Sequence, residues 1–353
     1  MPEQIRVLVV DDSLVAREML QQILASDPAI KVVGTAQDGA EAVTAVAKLR
    51  PDLVTMDIHM PKMDGLAAIE KIMAFTPTPI LVVSSSVHGE GVGRAFDALS
   101  GGALEVVKKP EPRDWEDLER IGRDIIRRVK YLSRIKVITH IRGRHARSEI
   151  DVPAFEAAAV SACGRSLVAI GSSTGGPSAL LNVLGRLPAD FPVPIVVAQH
   201  IADGFIPGLV TWLNSGCAIE VRPAQDGDTL QPGVAYFAPT GCNLEVEGTR
   251  LCFTPTRRAQ LYVPSADVLF ESVARTVRSR AVGVLLTGMG ADGAAGLKTL
   301  HDTGAATVAQ DEATSTVFGM PKAAIDLGAA GSVLAVNDIA AELVSLVAPR
   351  LSA

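Results

Sequence analysis

An apolar run that ends in two aspartates opens the chain, where residues 5–12 read IRVLVVDD. Further short apolar runs follow, separated by stretches with helical spacing. They are residues 30–34 (IKVVG), 52–56 (DLVTM), 79–84 (PILVVS) and 103–107 (ALEVV). Because apolar strands that alternate with helices form βαβ units with right-handed crossovers, this order predicts a parallel sheet covered by helices.

A second alternating region begins at residue 166, where the run SLVAIG leads into a glycine-rich turn. Its strand candidates are residues 166–170, 194–199, 234–238, 282–287 and 305–309. The chain has 353 residues, which is enough for two domains of ordinary size. We therefore predict an α/β protein built from two doubly wound parallel-sheet domains.

The stretch between the two regions has a different character. Residues 115–133 show helical spacing, and residues 127–147 then carry eight Lys or Arg and no Asp or Glu. A basic run of this kind is typical of a solvated linker. We place the first domain at residues 4–122, a helical extension and basic linker at 123–162, and the second domain at 163–350.

Composition argues against several functional classes. The formal net charge of −6 is unlike that of a regulator with a basic DNA-binding output domain, so no nucleic-acid partner is expected. The four cysteines form no CxxC pair, and we expect buried, reduced thiols. No apolar run approaches the ~20 residues of a membrane span, and Met1–Arg6 shows no signal-peptide pattern. We expect a soluble, cytoplasmic protein without membrane insertion.

Acidic and cationic side chains follow the predicted strands of the first domain. Asp11, Asp12 and Asp57 stand at strand ends, as do Ser84 and Lys109. The carboxyl ends of parallel strands meet at one sheet edge, so these groups are expected to converge. Three carboxylates there favour a hard cation such as Mg²⁺, and one of them is able to act as a nucleophile toward a phosphoryl group.

This set of residues resembles the receiver domain of two-component response regulators. The resemblance rests on the residues above together with Met60-Pro61, Asp64-Gly65 and Pro110. It implies a flavodoxin-like fold, phosphorylation of Asp57 by a histidine kinase, and Mg²⁺ held by Asp11, Asp12, Asp57 and the backbone near His59. It also implies a switch hydroxyl on Ser84 and a phosphate contact by Lys109. Val106 stands where many receivers carry an aromatic switch residue.

A glycine-flanked serine follows the first strand of the second domain. Residues 171–177 read GSSTGGP, a G-x-S-x-G pattern centred on Ser173. Glycines on both sides permit a sharp strand-to-helix turn that presents the hydroxyl at the sheet edge. A glycine-rich phosphate loop has the same appearance, so the motif alone leaves a hydrolase and a phosphate-binding enzyme as equal alternatives.

Two further residues favour the hydrolase. His200 ends the strand 194–199 and is placed to exchange a proton with Ser173. Asp292 follows the strand 282–287 within the glycine-rich run TGMGADG and is placed to orient an imidazole. The glycines around it allow backbone N–H groups to point inward as an oxyanion hole. The chain order Ser, His, Asp differs from that of α/β-hydrolases, so only geometry is able to test the triad.

The second domain resembles the CheB family of chemotaxis protein-glutamate methylesterases and glutamine deamidases. The matching segments are IGSSTGG (170–176), QH (199–200), PSADVLF (264–270), LTGMGADG (286–293) and VFGMP (317–321). The resemblance implies that Ser173 is the nucleophile, His200 the general base and acid, and Asp292 the orienting carboxylate. Thr174 would help to position the histidine, and the Met289 N–H would serve the oxyanion. Tyr262-Val263 stand where the family commonly has a basic pair.

The two resemblances together imply a hydrolase controlled by phosphorylation. Its substrates would be methyl-accepting chemoreceptors and its phosphodonor a histidine kinase of the chemosensory pathway. Mg²⁺ would bind in the receiver, with no cofactor in the hydrolase site. Two rival readings remain. In the first, the second domain is an inactive binding module and not a hydrolase. In the second, it is a dinucleotide-dependent enzyme, although its second strand ends in Gln199-His200 without a ribose-binding acid.

Overall fold

The computed structural model describes residues 4–85, 90–135, 137, 164–256, 260 and 262–348. The chain divides into two compact units between residues 146 and 147. Of the predicted helical extension and basic linker at 123–162, residues 136 and 138–162 lie outside the described residues, as does Cys163. Each unit is an α/β body, and the two are described separately.

The first unit is a five-stranded parallel sheet with strand order β2-β1-β3-β4-β5. This order is that of flavodoxin-like folds, so the predicted fold class is confirmed. Its strands are β1 (Ile5–Val10), β2 (Ile30–Ala36), β3 (Leu53–Met56), β4 (Ile80–Ser84) and β5 (Glu105–Lys108). Its helices are α1 (Leu14–Ala25), α2 (Gly39–Leu49), α3 (Gly65–Phe75), α4 (Glu90–Ser100) and α5 (Trp115–Leu132).

Short polar side chains start the helices that leave the carboxyl edge of this sheet. Each accepts a hydrogen bond from an N–H group of the first helical turn, which would otherwise lack a partner. The caps are Ser13 for α1, Asp38 for α2, Asp64 for α3 and Asp114 for α5. These caps fix the point at which each strand-to-helix loop ends, and the loops carry the functional side chains.

Helix α5 crosses the predicted domain boundary at residue 122. Ile125, Val129 and Leu132 are buried in the same core as Val7 and Leu81 of the sheet. The packed body of the first unit therefore extends to the end of α5. The residues after 122 form part of this core, because their apolar face covers the sheet.

The second unit is a seven-stranded parallel sheet with strand order β14-β13-β12-β6-β7-β9-β8, plus a two-stranded antiparallel hairpin. Its strands are β6 (Leu167–Ser172), β7 (Ile195–Gln199), β8 (Glu220–Pro223), β9 (Val234–Phe237), β10 (Asn243–Glu247), β11 (Arg250–Thr254), β12 (Ala281–Leu285), β13 (Ala306–Gln310) and β14 (Ser332–Leu334). Its helices are α6 (Gly176–Leu184), α7 (Ile206–Asn214), α8 (Ala266–Thr276), α9 (Ala294–His301), α10 (Met320–Asp326) and α11 (Val336–Val347).

The hairpin β10–β11 and the edge strands β8 and β14 did not emerge from the sequence. In β10 the polar residues Asn243, Glu245 and Glu247 alternate with apolar ones, so no apolar run marks the strand. The expectation of buried cysteines was also wrong for those described, because Cys217, Cys242 and Cys252 are free thiols that are only partly buried. Among the described residues, no helix combines the length and apolarity needed to cross a bilayer.

The packing of α5 predicts where a stable receiver fragment must end. Each buried aliphatic side chain contributes about 1.5–3 kcal/mol, and a whole domain is stable by only about 5–15 kcal/mol. We expect fragment 1–135 to unfold cooperatively in urea and fragment 1–122, which lacks Ile125, Val129 and Leu132, to be largely unfolded at 25 °C. Circular dichroism measures both. Equal urea midpoints would show that the end of α5 is dispensable, and Tyr131→Ala in fragment 1–135 is the control for an exposed side chain.

Candidate functional sites

The register of the first sheet places two aspartates side by side. Val10 of β1 pairs with Met56 of β3, so Asp11 and Asp57 leave adjacent strands at the same level. The Asp57 N–H donates to Val10 O at 3.0 Å. Both carboxylates are buried, whereas Asp12 is exposed. Parallel pairing therefore brings together the acidic residues that the sequence predicted to converge.

Lys109 reaches this pair from the end of β5. Its Nζ lies 2.8 Å from Asp11 Oδ2 and 2.9 Å from Asp57 Oδ2. Burial lowers the pKa of Lys109, but the two carboxylates outweigh it and the pKa lies above its ordinary value. Burial is the main cause of a raised pKa at Asp57, Asp11 adds to it, and Lys109 opposes it. One cation among three acids leaves the cluster with excess negative charge.

The cluster fits a divalent cation. Carboxylate oxygens of Asp11, Asp12 and Asp57 all lie within 4.8 Å of one another. An all-oxygen donor set is the environment that Mg²⁺ prefers. The Ile58 N–H donates to Asp57 Oδ1 at 2.8 Å, which leaves Oδ2 toward Lys109.

Ser84 is buried at the end of β4, between the strands that carry Asp57 and Lys109. The Lys109 N–H donates to Ser84 O at 2.9 Å, so the two residues share the sheet edge. Val106, buried in β5, pairs with Val82. The structure thus brings all five predicted receiver residues to one edge.

The same device builds the second site. Ser172 of β6 pairs with Gln199 of β7, so the residues that follow, Ser173 and His200, leave the sheet side by side. The His200 N–H donates to Ser172 O at 2.9 Å, and the Ser173 N–H donates to Thr287 O at 3.0 Å. Ser173 is therefore fixed from both neighbouring strands, β7 and β12.

Two glycines allow the sharp turn at Ser173. Gly175 has φ +77°, and a Cβ there would lie 2.4 Å from the Thr316 hydroxyl oxygen. A Cβ on Gly288 would lie 2.7 Å from Ser173 Cβ. These glycines are explained by close packing around the serine, as a nucleophile turn requires.

His200 and Asp292 form the central contact of this site. His200 Nε2 lies 2.8 Å from Asp292 Oδ2, and both side chains are about nine-tenths buried. An ionised carboxylate only accepts hydrogen bonds, so Nε2 carries the proton. His200 Nδ1 is then a bare lone pair, and it is buried without a hydrogen-bond partner among the described residues. An imidazole in this state is prepared to accept a proton.

Asp292 is held by the start of helix α8. Its carboxylate accepts from Ser265 Oγ at 2.7 Å and from the Ala266 N–H at 2.7 Å. Burial raises the pKa of Asp292, but the hydrogen bonds from His200, Ser265 and Ala266 outweigh it, so the pKa lies below its ordinary value. The carboxylate therefore stays ionised beside His200 near neutral pH, helped by the positive end of the helix dipole.

The side-chain amide of Gln199 links Ser173 to His200 through hydrogen bonds. Its buried side-chain NH₂ donates to Ser173 O at 2.9 Å and to His200 O at 2.7 Å, while its Oε1 accepts from Ser172 Oγ at 2.7 Å. One side-chain amide thus forms hydrogen bonds with Ser172, Ser173 and His200. The amide is satisfied by these contacts, which argues against a ribose-binding role for the end of β7.

The candidate oxyanion residues lie against Ser173. Thr287 Oγ1 donates to Thr174 O at 2.9 Å and accepts from the Val317 N–H at 2.9 Å, which ties the nucleophile turn to the neighbouring loop. Met289 is buried and directly follows Gly288, whose Cα approaches Ser173. The structure brings Thr174 and Met289 to the nucleophile turn.

Three supporting residues were missed from the sequence as functional residues: Gln199, Ser265 and Tyr262. Gln199 stands beside the predicted histidine, and a polar residue that ends a buried strand was a usable signal. The Tyr262 ring stacks on His200 with centroids 4.5 Å apart and planes 3° from parallel. No local pattern announces a contact between residues 62 positions apart.

Comparison with known proteins gives a consistent result. The family profile described as "CheB methylesterase" matches residues 168–343, and "Response regulator receiver domain" matches residues 7–118. A protein-glutamate methylesterase/protein-glutamine glutaminase from Anaeromyxobacter dehalogenans is 48% identical over 95% of each chain. One from Geobacter metallireducens is 43% identical over 97% of this chain and 99% of its own. The crystal structure of the Thermotoga maritima CheB methylesterase catalytic domain is 36% identical, with a TM-score of 0.49, over 52% of this chain and 99% of that one.

The amide of Gln199 yields a prediction about the reactivity of Ser173. Gln199→Leu removes the two hydrogen bonds that the amide donates to Ser173 O and His200 O. Ser173 and His200 are then expected to shift, and a small displacement of reacting groups costs roughly a hundredfold in rate. We expect labelling by a serine-directed fluorophosphonate to slow by about ten- to a hundredfold while the protein remains folded. Gln22→Leu, at an exposed position of α1, is the matched control. Unchanged labelling of Gln199→Leu would refute the positioning role.

Asp267 yields a prediction about pH. It accepts a hydrogen bond from the Gly296 N–H at 2.6 Å, and burial raises its pKa to about 6, with Asp292 and Glu271 adding to the effect. A raised pKa means that the folded state binds this proton more tightly, so its stabilisation is present at low pH and is lost as pH rises toward 6. Asp267→Asn keeps the acceptor and removes the titration. We expect the Tm of Asp267→Asn to gain on wild type between pH 4.5 and 7.5. A constant difference between the two Tm values would contradict this.

Proposed function

This chain belongs to the CheB methylesterase family, and we propose that it hydrolyses γ-methyl glutamyl esters and deamidates glutamine side chains of chemoreceptors under the control of its receiver unit. The relatives named above carry both activities in their names, and they align with nearly the whole of this chain. Ser173, His200 and Asp292 are the residues to which we assign the chemistry.

The observation that carries the proposal is the buried Nδ1 of His200, which has no hydrogen-bond partner among the described residues, on a ring whose Nε2 contacts Asp292. In the proposed mechanism Ser173 Oγ attacks the side-chain carbonyl carbon while Nδ1 takes the serine proton. The imidazolium is stabilised by ionised Asp292. Nδ1–H then protonates the leaving group, which departs as methanol from an ester or as ammonia from an amide. An acyl-enzyme on Ser173 remains.

Water then hydrolyses the acyl-enzyme, and His200 again acts first as a base and then as an acid. His200 Nδ1 removes a proton from water as it attacks the acyl carbon, and it returns that proton to Ser173 Oγ as the ester bond breaks. The product is a free glutamate side chain from either substrate. We assign the Met289 N–H to the developing oxyanion, where a preorganised donor is worth ~100–1,000-fold in rate. Thr174 supports this turn through its carbonyl bond to Thr287.

In the receiver, we propose that Asp57 accepts a phosphoryl group from a histidine kinase. Asp11, Asp12 and Asp57 would hold Mg²⁺, which when bound would offset charge on the phosphoryl oxygens. Lys109 already contacts Asp57 and would pair with the added oxygens, and Ser84 would supply a hydroxyl from the neighbouring strand. Phosphorylation would thus change the charge and contacts of one sheet edge, which is a switch of the usual receiver kind.

The direct test is the release of methanol from methylated chemoreceptor membranes by the full-length protein, with and without a small-molecule phosphodonor and Mg²⁺. We expect wild type to release methanol and the phosphodonor to increase the rate. A hundredfold increase corresponds to about 2.7 kcal/mol. Ser173→Ala is expected to abolish release, because no other group carries the acyl intermediate.

Asp57→Asn separates control from chemistry in the same assay. We expect it to keep the basal rate and to lose the response to the phosphodonor, because the amide accepts no phosphoryl group. Release that persists in Ser173→Ala would overturn the nucleophile assignment. A full response in Asp57→Asn would overturn the phosphorylation site.

A further inference from the structure

An aromatic ring covers one face of the catalytic imidazole. The rings of Tyr262 and His200 are stacked with centroids 4.5 Å apart and planes 3° from parallel. What this ring does bears on the mechanism proposed above and rests on it. Asp292 holds the imidazole at a single point, Nε2. One hydrogen bond leaves the ring able to tilt about that point, and a tilt would redirect Nδ1.

The segment that carries Tyr262 is anchored on both sides by one buried amide. Asn243, fully buried in β10, exchanges two hydrogen bonds with Gln260, at 3.0 and 2.8 Å. Asn243 Oδ1 also accepts from the Ser265 N–H at 3.0 Å. Tyr262 therefore lies between two points fixed to the hairpin, so its placement over His200 is built into the fold.

The far end of the Tyr262 ring lies close to the loop that carries Met289. Gly290 has φ +87°, and a Cβ on it would lie 2.9 Å from the Tyr262 hydroxyl oxygen. The ring thus fills the space between the imidazole and the loop to which we assign the oxyanion donor. A side chain at position 290 would push the ring out of the stack.

We propose that Tyr262 is a positioning residue that fixes the plane of the His200 imidazole and stabilises the imidazolium formed during the reaction. Asp292 sets the tautomer and one direction, and the stacked ring sets the plane. The negative face of an aromatic ring attracts a cation within about 6 Å of its centroid, so the stacked ring stabilises the positive charge that develops on the imidazole during proton transfer. Among the described residues, Asp292 forms an ion-pair contact with the imidazole, and its other carboxylate oxygen accepts from the Asp267 N–H at 3.4 Å.

The test compares Tyr262→Phe, which keeps the ring face, with Tyr262→Leu, which keeps an apolar cover and loses the face. Tyr131→Leu, at a partly exposed position of α5, is the matched control. All are full-length proteins assayed at fixed phosphodonor and Mg²⁺. Two quantities are measured: kcat and KM for methanol release, and the rate at which a fluorophosphonate labels Ser173.

We expect Tyr262→Phe to retain at least about half of the wild-type rates in both assays. Tyr262→Leu is expected to lose about ten- to a hundredfold in kcat with KM changed less than about threefold, because ground-state binding is untouched. Its labelling by the fluorophosphonate is expected to slow by a similar factor, because a tilted imidazole no longer directs Nδ1 toward the serine. Tyr131→Leu should match wild type in both assays.

Several outcomes would overturn the proposal. Wild-type rates in Tyr262→Leu would do so, as would an equal loss in Tyr262→Phe, which would assign the effect to the hydroxyl. If Tyr262→Leu does not fold, Tyr262→Met takes its place. A more than tenfold loss of rate in folded Tyr262→Phe would by itself overturn the proposal. Failure of the proposed function would be distinguishable from failure of this inference. In that case the wild-type protein would release no methanol, but substitution of Tyr262 would still change the rate at which Ser173 is labelled.

Discussion

The hydrogen bond between His200 Nε2 and Asp292 is the interaction on which the second unit depends. Because Asp292 is ionised, the bond places the imidazole proton on Nε2 and leaves Nδ1 as the only basic atom. Ser265 and the Ala266 N–H, at the start of helix α8, both donate to this carboxylate, which lies in the loop after β12. Without this pair, Ser173 would still lie in its glycine-rich turn, but it would have no oriented base.

Both units use the register of parallel strands to assemble their chemistry. In the first, Val10 and Met56 pair, and the aspartates that follow them meet. In the second, Ser172 and Gln199 pair, and the serine and histidine that follow them leave the sheet side by side. A parallel sheet aligns strand ends without any requirement on the residues between, so groups far apart in sequence arrive at one edge. Residues that follow strands are therefore the ones to examine first.

This rule explains what the sequence could and could not predict. Asp57, Ser173 and His200 follow buried apolar strands, and each was placed correctly at its sheet edge. Tyr262 lies in a loop beyond a hairpin whose strands alternate polar and apolar residues, so neither the hairpin nor the stack was foreseeable from local patterns. Helix α5 runs past the predicted boundary at residue 122, and helical spacing alone does not tell which body a helix packs against.

The protonation state of His200 is the claim that the mechanism most needs. Nitrogen-15 NMR of histidine-labelled full-length protein at pH 7.5, with the resonance assigned by its loss in His200→Gln, observes the two ring nitrogens separately. The account predicts a proton on Nε2, an unprotonated Nδ1, and weakening of the Nε2–H hydrogen bond in Asp292→Asn. A proton on Nδ1 in the wild-type protein would contradict it.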